Sequence, residues 1–297
     1  MNIQAAFTYI INTIAPIYEP REAANIAHIV VEHITGLNKL DRIVYKDRNL
    51  DPGQQNRLEE AVAMLLQHQP VQYVTGTAWF YGMELLVNRN VLIPRPETEE
   101  LVEWILADVQ MGKYANMQMV GAKDLQLLDI GTGSGCIPLA LKQALPAASV
   151  WGIDVSDGAL TIAKANGAKQ QLDVHFTQVN VLDEEATAAL PSFNIIVSNP
   201  PYIKQSERLG MQQQVLDYEP SLALFVPDED ALLFYRRIVQ LAASKLSRGG
   251  ALYFEINEAL GPEVVSLMEK EGFANVQLRQ DIFGKDRMVK GENLRDV

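Results

Sequence analysis

Apolar and polar residues follow two different patterns on either side of residue 70. Before it, strand-like runs are absent and signals for helix starts and stops recur. Helices are predicted over residues 3–14, 20–36 and 51–68. Pro20 and the pair Asp51-Pro52 suit helix N-termini, while Gly36 and Pro70 suit helix ends. Residues 1–70 are therefore predicted to form a small helical domain.

After residue 70, short runs of β-branched and aromatic residues take over. Residues 71–94, which include Gly76 and Gly82, are predicted to form a hairpin linker. Further on, strands are predicted at residues 125–130, 149–154, 173–179, 193–198 and 250–256, with helical patterns between them. This alternation predicts an α/β fold with a doubly wound, mostly parallel sheet over residues 95–297, whose ligands lie at the carboxyl ends of the strands.

A glycine-rich turn follows the first strand of that predicted sheet. Its sequence is Gly131-Thr132-Gly133-Ser134-Gly135, and Asp154 ends the next strand. Glycines allow a close backbone approach, and an acidic residue about 20 positions further on can accept hydrogen bonds from ribose hydroxyls. The G-x-G-x-G spacing differs from the G-x-G-x-x-G of dinucleotide sites, which disfavours NAD. The pattern indicates a pocket for an adenosine cofactor, although a tight turn without a ligand is the alternative.

A second polar corner, Asn199-Pro200-Pro201-Tyr202, ends the strand at 193–198. Proline has no N–H, so this stiff turn offers mainly acceptors. The Asn199 side-chain oxygen and the Pro200 carbonyl can each accept one N–H of a planar amide or aromatic amine, while Tyr202 supplies a ring face and a hydroxyl. An ordinary strand-ending turn is the alternative.

Composition and charge narrow the classes of partner and site. The 297 residues carry a net charge of −12, which disfavours a nucleic-acid partner and suits a basic protein partner. A single cysteine and four scattered histidines predict neither a disulfide nor a metal site. No apolar run is long enough for a membrane span and no signal peptide is indicated, so we expect a cytoplasmic protein with no membrane association.

Several motifs together resemble the PrmC/HemK family of release-factor glutamine methyltransferases. Besides the two corners, they are Gln69-Pro70-Val71-Gln72-Tyr73-Val74-Thr75-Gly76, Ile93-Pro94-Arg95-Pro96-Glu97 and Asp217-Tyr218-Glu219-Pro220. The resemblance implies a methyltransferase (Rossmann-like) sheet completed by an antiparallel pair at 275–279 and 286–289. It also implies S-adenosyl-L-methionine as cofactor and methylation of the Gly-Gly-Gln glutamine of peptide-chain release factors, which the helical domain helps to recognise.

The resemblance also assigns roles to individual residues. It places the cofactor-binding residues at Gly131, Thr132, Gly133, Ser134, Gly135, Asp154, Asn180, Val181 and Asn199. It places the substrate-binding residues at Asn199, Pro200, Pro201 and Tyr202, with Asn199, Pro200 and Tyr202 as the catalytic ones. Many relatives have an acidic residue beside the adenine where this chain has Asn180, so Asp183 is a rival for that contact.

Two other functions use the same motifs. The amide clamp also fits an amino methyltransferase acting on a ribosomal-protein glutamine or on a nucleic-acid base, and the negative charge argues against the base. A non-catalytic adenosine-binding interaction module is the second alternative. Arg95 and Glu97, which invite a catalytic interpretation, are interpreted as structural residues that form ion pairs.

Overall fold

The computed structural model describes residues 1–112 and 125–295. These residues form two compact units, with secondary-structure elements numbered here in chain order. Met1–Thr77 together with Gln212–Tyr218 form the first unit, and the remaining described residues form the second. Within the described residues, no helix combines the length and apolar character needed to cross a membrane.

The first unit is helical, as predicted. Its helices are α1 (Ile3–Ile14), α2 (Pro20–Thr35), α3 (Lys39–Val44), α4 (Pro52–Leu66), α5 (Val71–Thr75) and α10 (Gln213–Tyr218). A buried apolar core that includes Ile3, Ile10, Val30, Leu58 and Leu65 packs α1, α2, α4 and α5 together. The short helix α3 was not predicted, and its N-cap Asn38 accepts hydrogen bonds from the Leu40 and Asp41 backbone N–H groups.

The local signals that predicted the helix ends act as expected. Gly36 ends α2 with a φ of 69°, a left-handed conformation that costs glycine little. At the start of α4, Asp51 Oδ1 accepts from the Gln54 N–H at 2.8 Å, and Gln54 Oε1 accepts from the Asp51 N–H at 3.0 Å. This reciprocal capping box fixes the first turn of the helix.

The hairpin is shorter than the predicted residues 71–94. Its strands are β1 (Thr77–Phe80) and β2 (Met83–Leu86), and helix α5 precedes them. Pro70 precedes the first residue of α5, and Gly76 closes it with a φ of 71°. Pro70 and Gly76 mark the two ends of one short helix. These end signals outweigh the strand preference of Val71 and Tyr73.

Helix α10 joins the first unit although it lies more than 130 residues downstream in the chain. The Tyr218 hydroxyl at its end donates a hydrogen bond of 2.6 Å to the Gln67 carbonyl oxygen, just past α4. Sequence patterns did not predict this association, because it depends on a contact 151 residues apart in the chain.

The second unit has the predicted doubly wound, mostly parallel sheet. Its strands are β3 (Gln126–Ile130), β4 (Ser149–Asp154), β5 (His175–Gln178), β6 (Phe193–Ser198), β9 (Leu246–Glu255), β10 (Ala274–Gln280) and β11 (Asp286–Glu292). Their spatial order is β10-β11-β9-β6-β3-β4-β5. Only β11 runs against its neighbours, which confirms the predicted antiparallel pair. The strand order reverses at β3, where doubly wound sheets bind ligands.

Helices cover both faces of this sheet. The helices of this unit are α6 (Pro96–Gln110), α7 (Cys136–Ala144), α8 (Asp157–Gln170), α9 (Glu184–Ala188), α11 (Ser221–Leu224), α12 (Leu233–Lys245) and α13 (Gly261–Lys270). Leu127 on one face of β3 packs in a core with α6 and α7, whereas Leu128 on the other face packs in a core with α12 and α13. Two short parallel strands, β7 (Ile203–Lys204) and β8 (Phe225–Val226), form a separate pair.

Gly152 in β4 has no room for a side chain. A Cβ there would lie 2.8 Å from both the Phe176 ring and Thr132 Oγ1. We expect Gly152→Ala to lower the free energy of unfolding by about 1–3 kcal/mol, the usual cost of overpacking a core. The midpoint of urea unfolding measures this. Gly210→Ala is the control, since its Cβ would meet nothing within 4 Å; equal midpoints for the two variants would contradict the prediction.

Candidate active site

Backbone hydrogen bonds attach the glycine turn to the end of the neighbouring strand, β4. Gly131 and Gly133 have φ values of 75° and 54°, in the region that glycine favours. The backbone N–H groups of Gly131 and Thr132 both donate to the Ile153 carbonyl oxygen, at 2.9 and 3.0 Å. The turn after β3 is therefore fixed against the carboxyl end of β4.

Asp154 is bonded to the same turn through its side chain. Its Oδ2 accepts from the Gly133 N–H at 2.9 Å, and its Oδ1 accepts from the Ser156 N–H at 2.9 Å. A carboxylate has about four acceptor positions, so about two remain for a ligand. The structure thus brings together the glycine turn and the carboxylate that were predicted to bind a nucleoside.

The glycines of the turn have different surroundings. A Cβ on Gly131 or Gly133 would meet no atom of the described residues within 4 Å, so these residues leave open space beside the backbone there. A Cβ on Gly135 would instead lie 3.1 Å from the Phe176 ring and 3.2 Å from Ala163 Cβ. The first two glycines leave room for a ligand, and the third allows close packing of α7.

Asp129 is a buried carboxyl group that the sequence analysis did not assign to the site. It is 1% exposed, and no described residue makes a hydrogen bond of 3.5 Å or less to either of its carboxyl oxygens. Burial raises the pKa of Asp129 to about 7; the nearby Thr132 hydroxyl lowers it, and the charge of Asp154 raises it. The buried hydroxyls of Thr132 and Ser134 likewise have no hydrogen-bond partner at such a short distance among the described residues. An acidic residue within the apolar run of β3 was the signal for this group, which suits a polar or cationic ligand.

The Asn199-Pro200-Pro201-Tyr202 corner lies at the same edge of the sheet. Ser198 pairs with Ile130 across β6 and β3, and its hydroxyl donates to the Ile130 carbonyl oxygen at 2.7 Å. The Asn199 side chain donates through Nδ2 to Thr98 Oγ1 at 3.3 Å. This bond engages the amide nitrogen and leaves the amide oxygen available as an acceptor.

Tyr202 presents a neutral hydroxyl at this corner. Burial raises the pKa of Tyr202 well above its ordinary value, and the charge of Glu255 raises it further. The phenol therefore stays protonated at physiological pH. Pro200 is buried and Pro201 is half-buried, so this segment is firmly packed.

The turn after β5 places Asn180 and Val181 near the end of β4. The N–H of the preceding residue, Val179, donates to the Asp154 carbonyl oxygen at 3.0 Å. Asn180 Oδ1 accepts from the Leu182 N–H, and Asp183 Oδ1 caps α9. Both side chains therefore have local structural bonds, and which of them contacts an adenine stays a prediction.

Arg95 forms an ion pair, as predicted. Its Nη2 lies 2.6 Å from Oε1 of Glu219, whose side chain is 1% exposed. Glu219 Oε2 also accepts from the Ile93 N–H at 3.4 Å. The two motifs that contain Arg95 and Glu219 thus bind each other and have a structural role.

Known protein families, relatives and solved structures resemble this chain in sequence or in fold. Residues 7–76 match the PrmC N-terminal domain family, and residues 114–218 match the Methyltransferase small domain family. The release factor glutamine methyltransferase of Flavobacterium psychrophilum is 44% identical over 95% of this chain and 96% of its own. That of Bacteroides thetaiotaomicron is 41% identical over the same shares. Among solved structures, the hMettl16 catalytic domain in complex with MAT2A 3'UTR hairpin 6 has a TM-score of 0.52 at 14% identity, covering 84% of each chain, which indicates a shared fold.

Proposed function

This chain belongs to the release factor glutamine methyltransferase family, and we propose that it methylates the side-chain amide nitrogen of the Gly-Gly-Gln glutamine in peptide-chain release factors. The methyl group comes from S-adenosyl-L-methionine. The observation that carries this proposal is the Asn199 amide, whose nitrogen is held by Thr98 while its oxygen stays available at the carboxyl end of β6. The glycine turn lies at the same sheet edge, beside β6.

The residues of the glycine turn suit S-adenosyl-L-methionine. The open backbone at Gly131 and Gly133 and the remaining acceptor positions of Asp154 support binding of an adenosine group. The residues proposed to hold it are Gly131, Thr132, Gly133, Ser134, Gly135, Asp154, Asn180, Val181 and Asn199. When bound, this cofactor supplies a methyl group on a positively charged sulfur.

The chemistry requires activation of a weak nucleophile. An amide nitrogen shares its lone pair with the carbonyl group, which makes it a poor nucleophile. In our proposal, Asn199 Oδ1 and the Pro200 carbonyl accept the two N–H bonds of the glutamine amide, fix its plane and increase electron density on nitrogen. The cofactor held by the glycine turn and Asp154 would supply the methyl group as the carbon–sulfur bond breaks, and the glutamine nitrogen, on bonding the methyl carbon, would release one proton to water. Pro201 and Tyr202 line the substrate side and exclude water.

The two parts of the chain have separate roles in this proposal. The helical unit, Met1–Thr77 with Gln212–Tyr218, recognises the release factor, and the unit that contains the doubly wound sheet binds the cofactor and carries out the transfer. The match of residues 7–76 to the PrmC N-terminal domain family supports the first role. The net charge of −12 suits a protein substrate rather than a nucleic acid, and the reaction takes place in the cytoplasm, with no membrane involved.

Mass spectrometry tests the function directly. Purified unmethylated release factor is incubated with this protein and S-adenosyl-L-methionine, and the Gly-Gly-Gln peptide is sequenced by tandem mass spectrometry. We expect one added methyl group on the glutamine side chain. If cofactor binding is demonstrated and the glutamine stays unmodified, the proposed substrate is wrong, and ribosomal-protein glutamines are the next substrates to test.

Asp129 is expected to make the affinity for the cofactor depend on pH, which can be measured separately from methylation. Because the pKa of its carboxyl group is about 7, the ionised fraction grows as the pH rises from 6 to 8. A cationic cofactor favours the ionised form, so its affinity is expected to be up to about tenfold weaker at pH 6 than at pH 8. Isothermal titration calorimetry measures this, and Asp129→Asn is expected to remove the dependence. A wild-type affinity that does not change with pH would contradict it.

A further inference from the structure

We propose that Glu255, acting through Thr98, is a positioning residue that fixes which way the Asn199 amide faces. This inference rests on the proposed function, since it explains how the acceptor oxygen of the clamp stays turned toward the substrate. Neither Glu255 nor Thr98 is among the predicted site residues. The structure brings them to Asn199 from two separate elements, α6 and β9.

The three side chains form a continuous hydrogen-bond chain. Asn199 Nδ2 donates to Thr98 Oγ1 at 3.3 Å, and Thr98 Oγ1 donates to Glu255 Oε2 at 2.6 Å. Thr98 and Glu255 are each 2% exposed, so water does not compete for these bonds. Ser198 and Phe254 pair directly across β6 and β9, which places the next residues, Asn199 and Glu255, side by side at the sheet edge.

The direction of each bond follows from counting donors and acceptors. An ionised carboxylate only accepts hydrogen bonds, so the single hydroxyl proton of Thr98 must point to Glu255. Thr98 Oγ1 then offers only lone pairs on its other side, and Asn199 must present its NH₂ group to it. The Asn199 oxygen is thereby turned away from Thr98. The charge of Glu255 selects one of the two amide orientations, which are nearly equal in shape.

The ionisation of Glu255 responds near neutral pH. Burial raises the pKa of Glu255 to about 7, while the Thr98 hydroxyl, the charge of Arg287 and the Asn199 amide lower it and Glu97 raises it. The titratable and charged groups that interact with Glu255 come from several elements: Glu97 in α6, Cys136 in α7, Tyr202 after β6, Tyr235 in α12 and Arg287 in β11.

Protonation of Glu255 removes the fixed direction of the hydrogen bonds that link Asn199, Thr98 and Glu255. A protonated Glu255 can donate to Thr98 Oγ1, which frees the Thr98 hydroxyl proton to point at Asn199. The amide can then turn over and place its oxygen toward Thr98 and its NH₂ group toward the substrate. Two N–H donors would face each other, and the clamp would not form. We therefore expect kcat to fall as the pH drops below about 7.

The first experiment does not depend on turnover. In ¹⁵N-labelled protein, the side-chain NH₂ resonances of Asn199 are identified by their loss in Asn199→Ala and followed from pH 5.5 to 8.5. We expect them to shift with a midpoint near the pKa of Glu255, about 7, and to stop shifting in Glu255→Gln. Resonances that titrate equally in both proteins, or in neither, would overturn the proposal even if the release factor were not the substrate.

The second experiment measures kcat against pH with saturating cofactor and release factor. Glu255→Gln and Thr98→Val are expected to lower kcat by about tenfold or more at pH 8, with KM for the cofactor within about twofold. Glu255→Gln is also expected to flatten the pH profile. Thr98→Ser, which keeps the hydroxyl, is expected to retain both the wild-type kcat and the wild-type pH profile of kcat.

Tyr253→Phe is the matched control for a purely structural effect. Tyr253 lies two residues before Glu255 in β9 and donates from its buried hydroxyl to Asp108 Oδ2 at 2.8 Å. Removing the Tyr253 hydroxyl deletes a hydroxyl–carboxylate hydrogen bond of the same type and changes nothing at Asn199. We therefore expect stability to fall and the pH profile of kcat to stay as in the wild type. The proposal is wrong if this variant loses kcat as Glu255→Gln does, or if Thr98→Ser is no better than Thr98→Val. Unmethylated release factor with the wild-type protein would instead refute the proposed function.

Discussion

Replacing Asn199 with alanine is expected to lower kcat for glutamine methylation by about 100-fold or more at saturating cofactor, with a smaller loss of cofactor affinity, since Asn199 is also one of the residues proposed to hold the cofactor. The truncated side chain removes one of the two acceptors proposed to hold the glutamine amide. That interaction matters most as the nitrogen begins to form its new bond, so kcat is affected more than KM. Steady-state kinetics with purified release factor measure the first quantity, and calorimetry measures the second.

Asn194→Ala is the control for this variant. Asn194 lies in the same strand, β6, and its Oδ1 accepts from the Gln126 N–H at 2.8 Å. Its loss is expected to lower stability and to leave kcat close to the wild-type value. If Asn199→Ala methylates at the wild-type rate with cofactor binding intact, the amide clamp is wrong.

Replacing Asp154 with alanine is expected to weaken cofactor binding by at least about 100-fold. The variant loses the two hydrogen bonds that the ribose hydroxyls are proposed to donate to the Asp154 carboxylate. Each of these bonds contributes about 1.5–3 kcal/mol. The Gly133 N–H also loses its acceptor at 2.9 Å, so the glycine turn is held less firmly. Calorimetric titration with S-adenosyl-L-methionine measures the change in Kd.

Asp157→Ala provides the matched control, because it removes the same charge three residues further on, at an exposed position at the start of α8. Its Kd is expected to stay within about threefold of wild type, since exposed charges at this distance are screened by water and salt. Equal losses of affinity in the two variants would mean that net charge alone is responsible, and would refute the contact between Asp154 and the ribose.

The parts of the fold and site that sequence predicted are those with local signals. Gly36, the Asp51 capping box and the glycine turn each act within a few residues, and their conformations follow from single-residue preferences. The doubly wound sheet was predicted because its buried strands are apolar runs between helical patterns. Strand ends then bring Asp154 and Asn199 to one edge without further information.

The parts that sequence did not predict depend on contacts between distant residues. Thr98 and Glu255 are 157 positions apart, and no local rule links them to Asn199. A signal existed for Glu255 and for Asp129, since each is an acidic residue in an apolar strand, where an unpaired charge is costly. Helix α10 offered no such signal, because its sequence resembles that of any short surface helix and its placement depends on Tyr218 and Gln67.

The division of the chain into units has a practical meaning for domain exchange. The first unit is made from two stretches of sequence, Met1–Thr77 and Gln212–Tyr218, so the backbone passes between the units three times. A shortened protein that begins at residue 78 would retain α10 but lack the Gln67 carbonyl to which Tyr218 donates. Exchanging the first unit between this protein and a relative therefore requires the transfer of both stretches, and a single junction near residue 70 would produce a mismatched chimaera.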